Sequence, residues 1–403
     1  VTFDSQGGSA VAQKSVAYNG LCTKPANPTN GNYVLDGWYK EPDCINAFDF
    51  ATDRVTQNIT LYAKWIMSNE YERNKLIEFL NAFSAIDGKT NGQCINASYS
   101  PDDINTWTGV EWAAGRVKKI DWPCMASNKM MKGDLDLSGF TSLEYVDCQQ
   151  HFEINSVNVT ADTALKTLIF NGNNISSIDV STNTALEYLE CGYNPISSLD
   201  VSANVNLNTL YAYKMQLTQL DVSNNTALTI LACNENHLTE IDISNNVMLK
   251  YFDCSDNDIT SLDLSENTLL ETINCRNMEM LTALDASNLT NLDSIDVSND
   301  SLTSLNLSND TALTYINCEY NELTSLDFSA ATNILSVTCN DNKLKHIKGK
   351  FFGTVTSIYA NGKGYISSYG GESEPQEFSF EAETIDGSTF SCWSISSPSA
   401  STR

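Results

Sequence analysis

Three histidines, His151, His237 and His346, are the only imidazoles in the chain. No serine, cysteine or carboxylate recurs beside them at the spacing of a nucleophile and its base. No Gly-rich phosphate loop, H-E-x-x-H or C-x-x-C motif is present. Twelve cysteines could in principle bridge or hold metal, but seven of them (Cys148, Cys191, Cys233, Cys254, Cys275, Cys318 and Cys339) fill one recurring position. Phe170, Ala212, Val297 and Ala360 stand at the same position elsewhere. A metal ligand is not exchangeable for phenylalanine, whereas a small buried hydrophobe is. A second recurring column is acidic: Asp179, Asp200, Asp221, Asp242, Asp263, Asp285 and Asp327, with Asn306 substituting once. No D-x-D-x-D-G calcium loop accompanies it, and like charges about 5 Å apart in water repel by only about 1 kcal/mol. The column is therefore expected to be a solvated or turn-bonding stripe. Neither a metal nor a cofactor is called for.

What must position these columns is a repeat. From about 135 to 360 the chain returns to itself along L-x-x-L-x-C-x-x-N-x-L-(T/S)-x-L-D-V-S, with eight steps of 21 residues and two of 22 from Cys148 to Ala360. Leu189 and Cys191 are two apart and face one side of an extended strand, as do Leu199 and Val201 of a second short segment. One unit cannot bury its own apolar edge, so the units must stack as a solenoid of about eleven turns. Asparagines recur where the strand turns away: Asn173, Asn194, Asn236, Asn257, Asn321 and Asn342, with Asp300 in the same place. They are expected to bond backbone amides there.

Residues that alternate with the inward ones on the first strand form outward columns on what should be the concave sheet. Tyr145, Tyr188, Glu190, Tyr211, Tyr213, Tyr251, Asp253 and Arg276 are the candidates for ligand contact. Tyr188, Tyr211, Tyr213 and Tyr251 are expected to cluster, with Glu190 and Asp253 beside them. Exposed tyrosines offer flat apolar area with a polar tip, which suits protein or sugar partners. A wide open face lacks the water-excluding cleft that catalysis wants, so an enzyme is not expected.

The repeats resemble those of bacterial surface leucine-rich repeat proteins of the internalin type, with 21-residue units and a cysteine ladder. The matching residues are the Cys and Asn positions and the L-D-V-S segments. The resemblance implies a parallel concave sheet and a surface-exposed binding role. Residues 1–66 are short runs rich in β-branched and aromatic residues with Gly and Pro between them. Val1-Thr2-Phe3-Asp4 with Gly7-Gly8, Gly37-Trp38-Tyr39 and Leu61-Tyr62-Ala63-Lys64-Trp65 resemble the internalin B-repeat, or Listeria–Bacteroides repeat, which implies a β-grasp-like extracellular spacer. Cys22 and Cys44 could bridge within it. Residues 67–122 resemble a helical N-terminal cap. Asn69 is a candidate helix cap, Leu76, Ile77, Leu80 and Phe83 lie at helical spacing, and Trp107, Trp112 and Trp122 are expected to pack. Cys94 and Cys124 flank this segment as a possible second bridge. Repeats are expected over 123–360, and after them residues 361–403 read as a C-terminal β segment, either a cap or a partial divergent repeat, with a strand near 376–382 and landmarks at Gly362-Lys363-Gly364 and Phe390 to Trp393.

The fold expected is thus mainly β with some α: a leucine-rich solenoid carrying a β module and a helical cap. Acids outnumber bases 50 to 23, giving a net charge of −27, so phosphate backbones and anionic lipid are unsuitable partners. No apolar run reaches the roughly 18 residues of a membrane span. Val1 opens inside a strand pattern, so the chain reads as processed or trimmed. The resemblances imply an extracellular protein, at a bacterial surface or secreted, whose partner is a host or neighbouring-cell protein, glycoprotein or glycan.

Overall fold

The structure is a computed structural model that describes residues 1–28, 30, 33–344, 346–351, 357–360, 364–365, 376–383 and 392–395. Strand Thr2–Asp4 lies parallel to Thr60–Met67, which pairs antiparallel with Tyr33–Tyr39. Alternation along these strands turns Phe3, Trp38, Leu61 and Ala63 inward, where they meet Cys22, Phe48 and Val55 in a small core of their own. Cys22 is buried in that core, while Cys44 lies partly exposed with its sulfur 3.5 Å from the Pro42 carbonyl. Both are free thiols, as are Cys94 and Cys124, so neither of the two candidate bridges is formed. The Cys94 and Cys124 thiols point instead at the carbonyls of Met130 (3.6 Å) and Ala126 (3.3 Å).

Helix Ser68–Asn81 follows the last strand of this module directly. Its preceding residue is Met67, and Asn69 is not the cap: it sits inside the first turn, where its side chain accepts the Glu70 amide. Leu76, Phe79 and Leu80 are buried. Phe83 falls past the helix, because Ala82 is already extended, and is 75% exposed. Glu72 is fully buried. Its carboxylate accepts Arg116 Nε at 2.7 Å, Arg116 Nη2 at 2.5 Å and the Val117 amide at 2.8 Å. It thereby fixes the helix to hairpin Val110–Ala113/Arg116–Asp121, whose second strand pairs parallel with the first strand of the solenoid, Tyr145–Asp147. Trp107 and Trp122 are buried, and their indoles donate to the carbonyls of Ser100 and Thr108. His151 is buried with both nitrogens in use: Nδ1 accepts the Met131 amide and Nε2 donates to the Trp122 carbonyl. Burial keeps this imidazole neutral by pushing its pKa down. Cap and repeats share one continuous core, which covers the open end a solenoid would otherwise expose.

Eleven parallel strands, from Tyr145–Asp147 to Ser357–Ala360, build the concave sheet. The register is one repeat per strand; Tyr188, Leu189 and Glu190 face Thr209, Leu210 and Tyr211. The Cys ladder is fully buried between Leu columns. The second extended segment pairs as a strand only in places, for example Ala283–Asp285 with Ser304–Asn306, and not in every turn. Side chains satisfy the backbone instead. Asn236 Nδ2 donates to the carbonyls of Ala212 and Cys233, and its Oδ1 accepts the Leu217 amide one turn back. A second buried ladder, not anticipated, consists of Asn183, Asn204, Asn225, Asn246 and Asn267; Asn225 Nδ2 donates to Val201 O and Asn204 O. The aspartate column closes turns: Asp200 Oδ1 accepts the Ser202 amide at 2.9 Å, and Asp221 and Asp242 do the same for Ser223 and Ser244. Hydrogen bonds from the Ser202 hydroxyl and amide hold the Asp200 carboxyl below its usual range. Residues after the third outward column take a left-handed backbone, glycine at Gly172 (φ 69°) but Tyr193 (52°) and Lys214 (51°) next.

Strand Gln376–Glu383 forms where alternation placed it and pairs antiparallel with His346–Phe351, the outer segment of a late turn; Cys392–Ile395 pairs with it in turn. The landmarks Gly362-Lys363 and Phe390, and Asn361 of the third outward column, lie outside the described residues.

The ladder makes a chemical prediction. Burial raises the ladder thiols Cys148, Cys191, Cys233, Cys318 and Cys339, the last to about 12, and the Cys275 sulfur first and burial second raise Cys254; a thiolate is the reactive form. Maleimide applied to the native protein should label Cys44 and Cys124 quickly and the ladder only after denaturant is added. Fast labelling of Cys233 or Cys254 in the native state would contradict the packing.

Candidate binding surface on the concave sheet

Short strands of three residues project their first and third side chains from the sheet, and the residue two further on continues the outward row. At Tyr188–Glu190 and Thr209–Tyr211 this places a carboxylate among tyrosines. The Tyr188 hydroxyl donates to Glu190 Oε2 at 2.8 Å and the Tyr213 hydroxyl to Oε1 at 3.1 Å. Ring centres of Tyr188 and Tyr211 are 5.9 Å apart, and those of Tyr211 and Tyr213 are 6.3 Å apart with planes 79° from parallel. Tyr193, 46% exposed, extends the group by an edge contact to Tyr213 at 5.4 Å. Burial first, and the Glu190 carboxylate second, push the Tyr188 and Tyr213 hydroxyls up, so both remain donors.

Gly192 and Tyr193 belong to this group and were not among the sequence candidates. A Cβ on Gly192 would meet both a ring carbon and the carbonyl oxygen of Tyr213 at 2.8 Å. The ring of Tyr213 therefore lies against bare backbone, and only glycine leaves room for it. The signal was present but faint: Gly192 is the one glycine in its outward column. Gly192→Ala should displace Tyr213 and break its bond to Glu190, with a stability cost of about 1–3 kcal/mol. The Tyr213 ring resonances in NMR would report the displacement; unchanged resonances would refute it.

The other candidates are placed apart. Tyr251 is separated from this group by Ile230 on the intervening strand. Its hydroxyl lies 3.5 Å from Asp253 Oδ2. Asp253 is buried and engaged by the Ser255 amide and hydroxyl and by Asn274 Nδ2. Burial pushes its carboxyl up. Tyr145 sits at the cap end under Lys119, whose Nζ is 4.7 Å from the ring centre. Arg276 faces Asp256, with Nε 4.0 Å from Oδ2. The eight candidates thus divide into one compact group of four and outliers. Among the described residues, no three His, Cys, Asp or Glu side chains converge as metal ligands.

A parallel concave sheet, Leu and Cys columns inside, and asparagine ladders at the turns define a leucine-rich repeat solenoid with a cysteine ladder. Residues 1–64 match the family model for the Listeria-Bacteroides repeat domain. The chain is also similar, over part of its length, to two proteins of Evansella cellulosilytica: a putative Gly-rich membrane protein, 39% identical over 71 residues, and a putative membrane protein, 38% identical over 69 residues. These matches cover 18% and 17% of this chain but only 8% and 10% of the relatives' own length. Among solved structures, the chain is similar to the functional domain of InlJ from Listeria monocytogenes, which includes a cysteine ladder (28% identity, 55% of this chain and 60% of that one, TM-score 0.39). It is also similar to the internalin InlF of the same species (18% identity, 67% and 88%, TM-score 0.44). A third is the leucine-rich ectodomain of the receptor kinase GASSHO1/SCHENGEN3 of Arabidopsis thaliana (18% identity, 67% and 32%, TM-score 0.48).

Proposed function

We propose that this is a non-enzymatic recognition protein of a bacterial cell surface, exported or anchored outside the cell, that binds a protein partner through its concave face. The observation that supports this best is the half-exposed group of Tyr188, Glu190, Tyr211 and Tyr213 on a rigid parallel sheet. Tyrosines held in fixed rotamers give large contact area at low entropic cost, the chemistry of interface hot spots. A net charge of −27 favours association with a basic or neutral partner. In the same reading, residues 1–66 act as a spacer module, 67–122 as the solenoid cap, 123–360 as the recognition domain and 361–403 as a closing segment. No helix among the described residues is long and apolar enough to cross a membrane.

The test is a binding screen on surface-protein and glycan arrays with the native chain and a Tyr188→Ala/Tyr211→Ala/Tyr213→Ala variant. A protein hit lost in the variant supports the concave site. A hit that survives moves the site elsewhere. Sugar capture is the second reading, favoured by the exposed tyrosine faces as stacking platforms. It predicts a glycan hit that is insensitive to salt and abolished by Tyr211→Ala alone.

A further inference from the structure

Tyrosine beside carboxylate is a recurring local device in this chain, and its usual third member is a lysine. Lys64 Nζ lies 5.2 Å from the Tyr39 ring centre and 3.0 Å from Asp36. Lys75 Nζ lies 5.2 Å from the Tyr71 ring and 2.5 Å from Asp136. Lys119 Nζ lies 4.7 Å from Tyr145 and 2.9 Å from Asp121. Lys214 Nζ lies 4.8 Å from Tyr193 and 3.0 Å from Glu235. In each, an ammonium is shared between a ring face and an anion, which is where ring quadrupole and Coulomb attraction add.

The group around Glu190 has the same parts in greater number, and among the described residues its one cation–ring contact, Lys214, falls on the outlying Tyr193 and not on Tyr188, Tyr211 or Tyr213. Three tyrosines surround one carboxylate, and among the described residues Glu190 takes part in no ion pair; the nearby Lys214 is already held by Tyr193 and Glu235. Both Glu190 oxygens are fixed by tyrosine hydroxyls, so the anion is preorganised while each oxygen keeps a free lone pair.

We infer that the Tyr188–Glu190–Tyr211–Tyr213 group is an ammonium-binding site, and that its occupant is a lysine side chain of the partner. This rests on the concave face being the recognition surface. The lysine would donate N–H to Glu190 and lay its ε-carbon and charge against the rings, as the chain's own lysines do at the four other places.

The test uses the full chain labelled with 3-fluorotyrosine, its resonances assigned through Tyr→Phe variants. The probes are Nα-acetyl-lysine methylamide, its uncharged isostere Nα-acetyl-norleucine methylamide, and choline. The lysine probe should shift the Tyr188, Tyr211 and Tyr213 signals with a Kd in the millimolar range, while norleucine leaves them in place. Glu190→Gln, which keeps the side chain's size and one acceptor, should weaken lysine binding about tenfold or more. Equal shifts from lysine and norleucine would reduce the site to an apolar patch. Choline binding more tightly than lysine and surviving Glu190→Gln would overturn the lysine assignment, and no shift with any probe would overturn the ammonium site. The two readings fail separately. A partner from the array screen that is lost in the triple tyrosine variant, without a lysine shift, sinks only the ammonium site. A lysine shift with a partner indifferent to the variant sinks only the concave-face reading.

Discussion

Arg116→Met should be among the most damaging single substitutions, lowering stability by about 3–5 kcal/mol. Glu72 is fully buried on helix Ser68–Asn81, and Arg116 is its one counter-ion, bound through two nitrogens. Methionine keeps the volume of the arginine stem but leaves a carboxylate in the core with only the Val117 amide to solvate it. Breaking one half of a buried pair costs more than the intact pair contributes, since an uncompensated charge remains. Glu72→Gln should cost less, because Arg116 is about a fifth exposed and can turn to water. Arg116→Lys should fall between the two, retaining charge but losing the fork. Urea denaturation followed by tryptophan fluorescence would report this directly, with Trp107 and Trp122 buried in the same cap. A loss under about 1 kcal/mol for Arg116→Met would mean that the pair behaves as a solvated surface bridge and that the cap is not locked through Glu72.

Much of this architecture was legible from period alone. A position shared by cysteine, phenylalanine, alanine and valine at steps of 21 and 22 had to be interior, and its burial follows. The asparagine column was readable for the same reason, as a polar residue fixed beside interior ones must bond the backbone. The second ladder through Asn204, Asn225 and Asn246 was not, because Asn-rich turns look alike whether their side chains point into the core or out of it. Asn69 failed because the helix begins one residue earlier, at Ser68 after Met67, and Phe83 because the extended Ala82 redirects what the 3.6-residue period would bury. The tyrosine group was readable only in part. Strand order put Tyr188 beside Tyr211, but that Ile230 keeps Tyr251 out, and that Gly192 lets Tyr213 lie against the backbone, depends on lateral packing that no single repeat encodes.

Asp300→Asn should stabilise the protein, and increasingly so as pH rises. Asp300 occupies a rung where its neighbour Asn321 donates Nδ2 to Val297 O and Cys318 O and accepts the Leu302 amide through Oδ1. Asp300 reproduces the acceptor, taking the Met278 amide at 2.6 Å, but its Oδ2 is buried without a partner where asparagine places an N–H donor, and only a protonated carboxyl could donate there. Burial pushes this carboxyl up to about 8, with the charge of Asp296 adding to it, so the folded state keeps the proton. In the unfolded chain the group ionises near the ordinary aspartate value of 3.8. Folding must therefore take up a proton at every pH between those values. The stability linked to this group is complete below pH 4 and is lost as pH rises towards 8, by at most about 1.4 kcal/mol per unit. Asparagine carries the donor permanently. Its advantage should be small near pH 4 and grow with each pH unit, to several kcal/mol and at most about 6 kcal/mol at pH 8. Asp162 and Asp310 stand at the corresponding places in the second ladder, also with unpartnered buried oxygens, and burial pushes them to about 8 and about 7. Their asparagine variants should behave alike; that of Asp162, several turns away, should add to the first, whereas Asp310 follows Asp300 within one repeat. Exposed aspartates such as Asp200, whose carboxyl is held low, change stability in the opposite sense but cancel in the difference between variant and parent. An Asp300→Asn advantage equal at pH 5 and pH 8 would show that the carboxyl does not hold its proton in the native ladder.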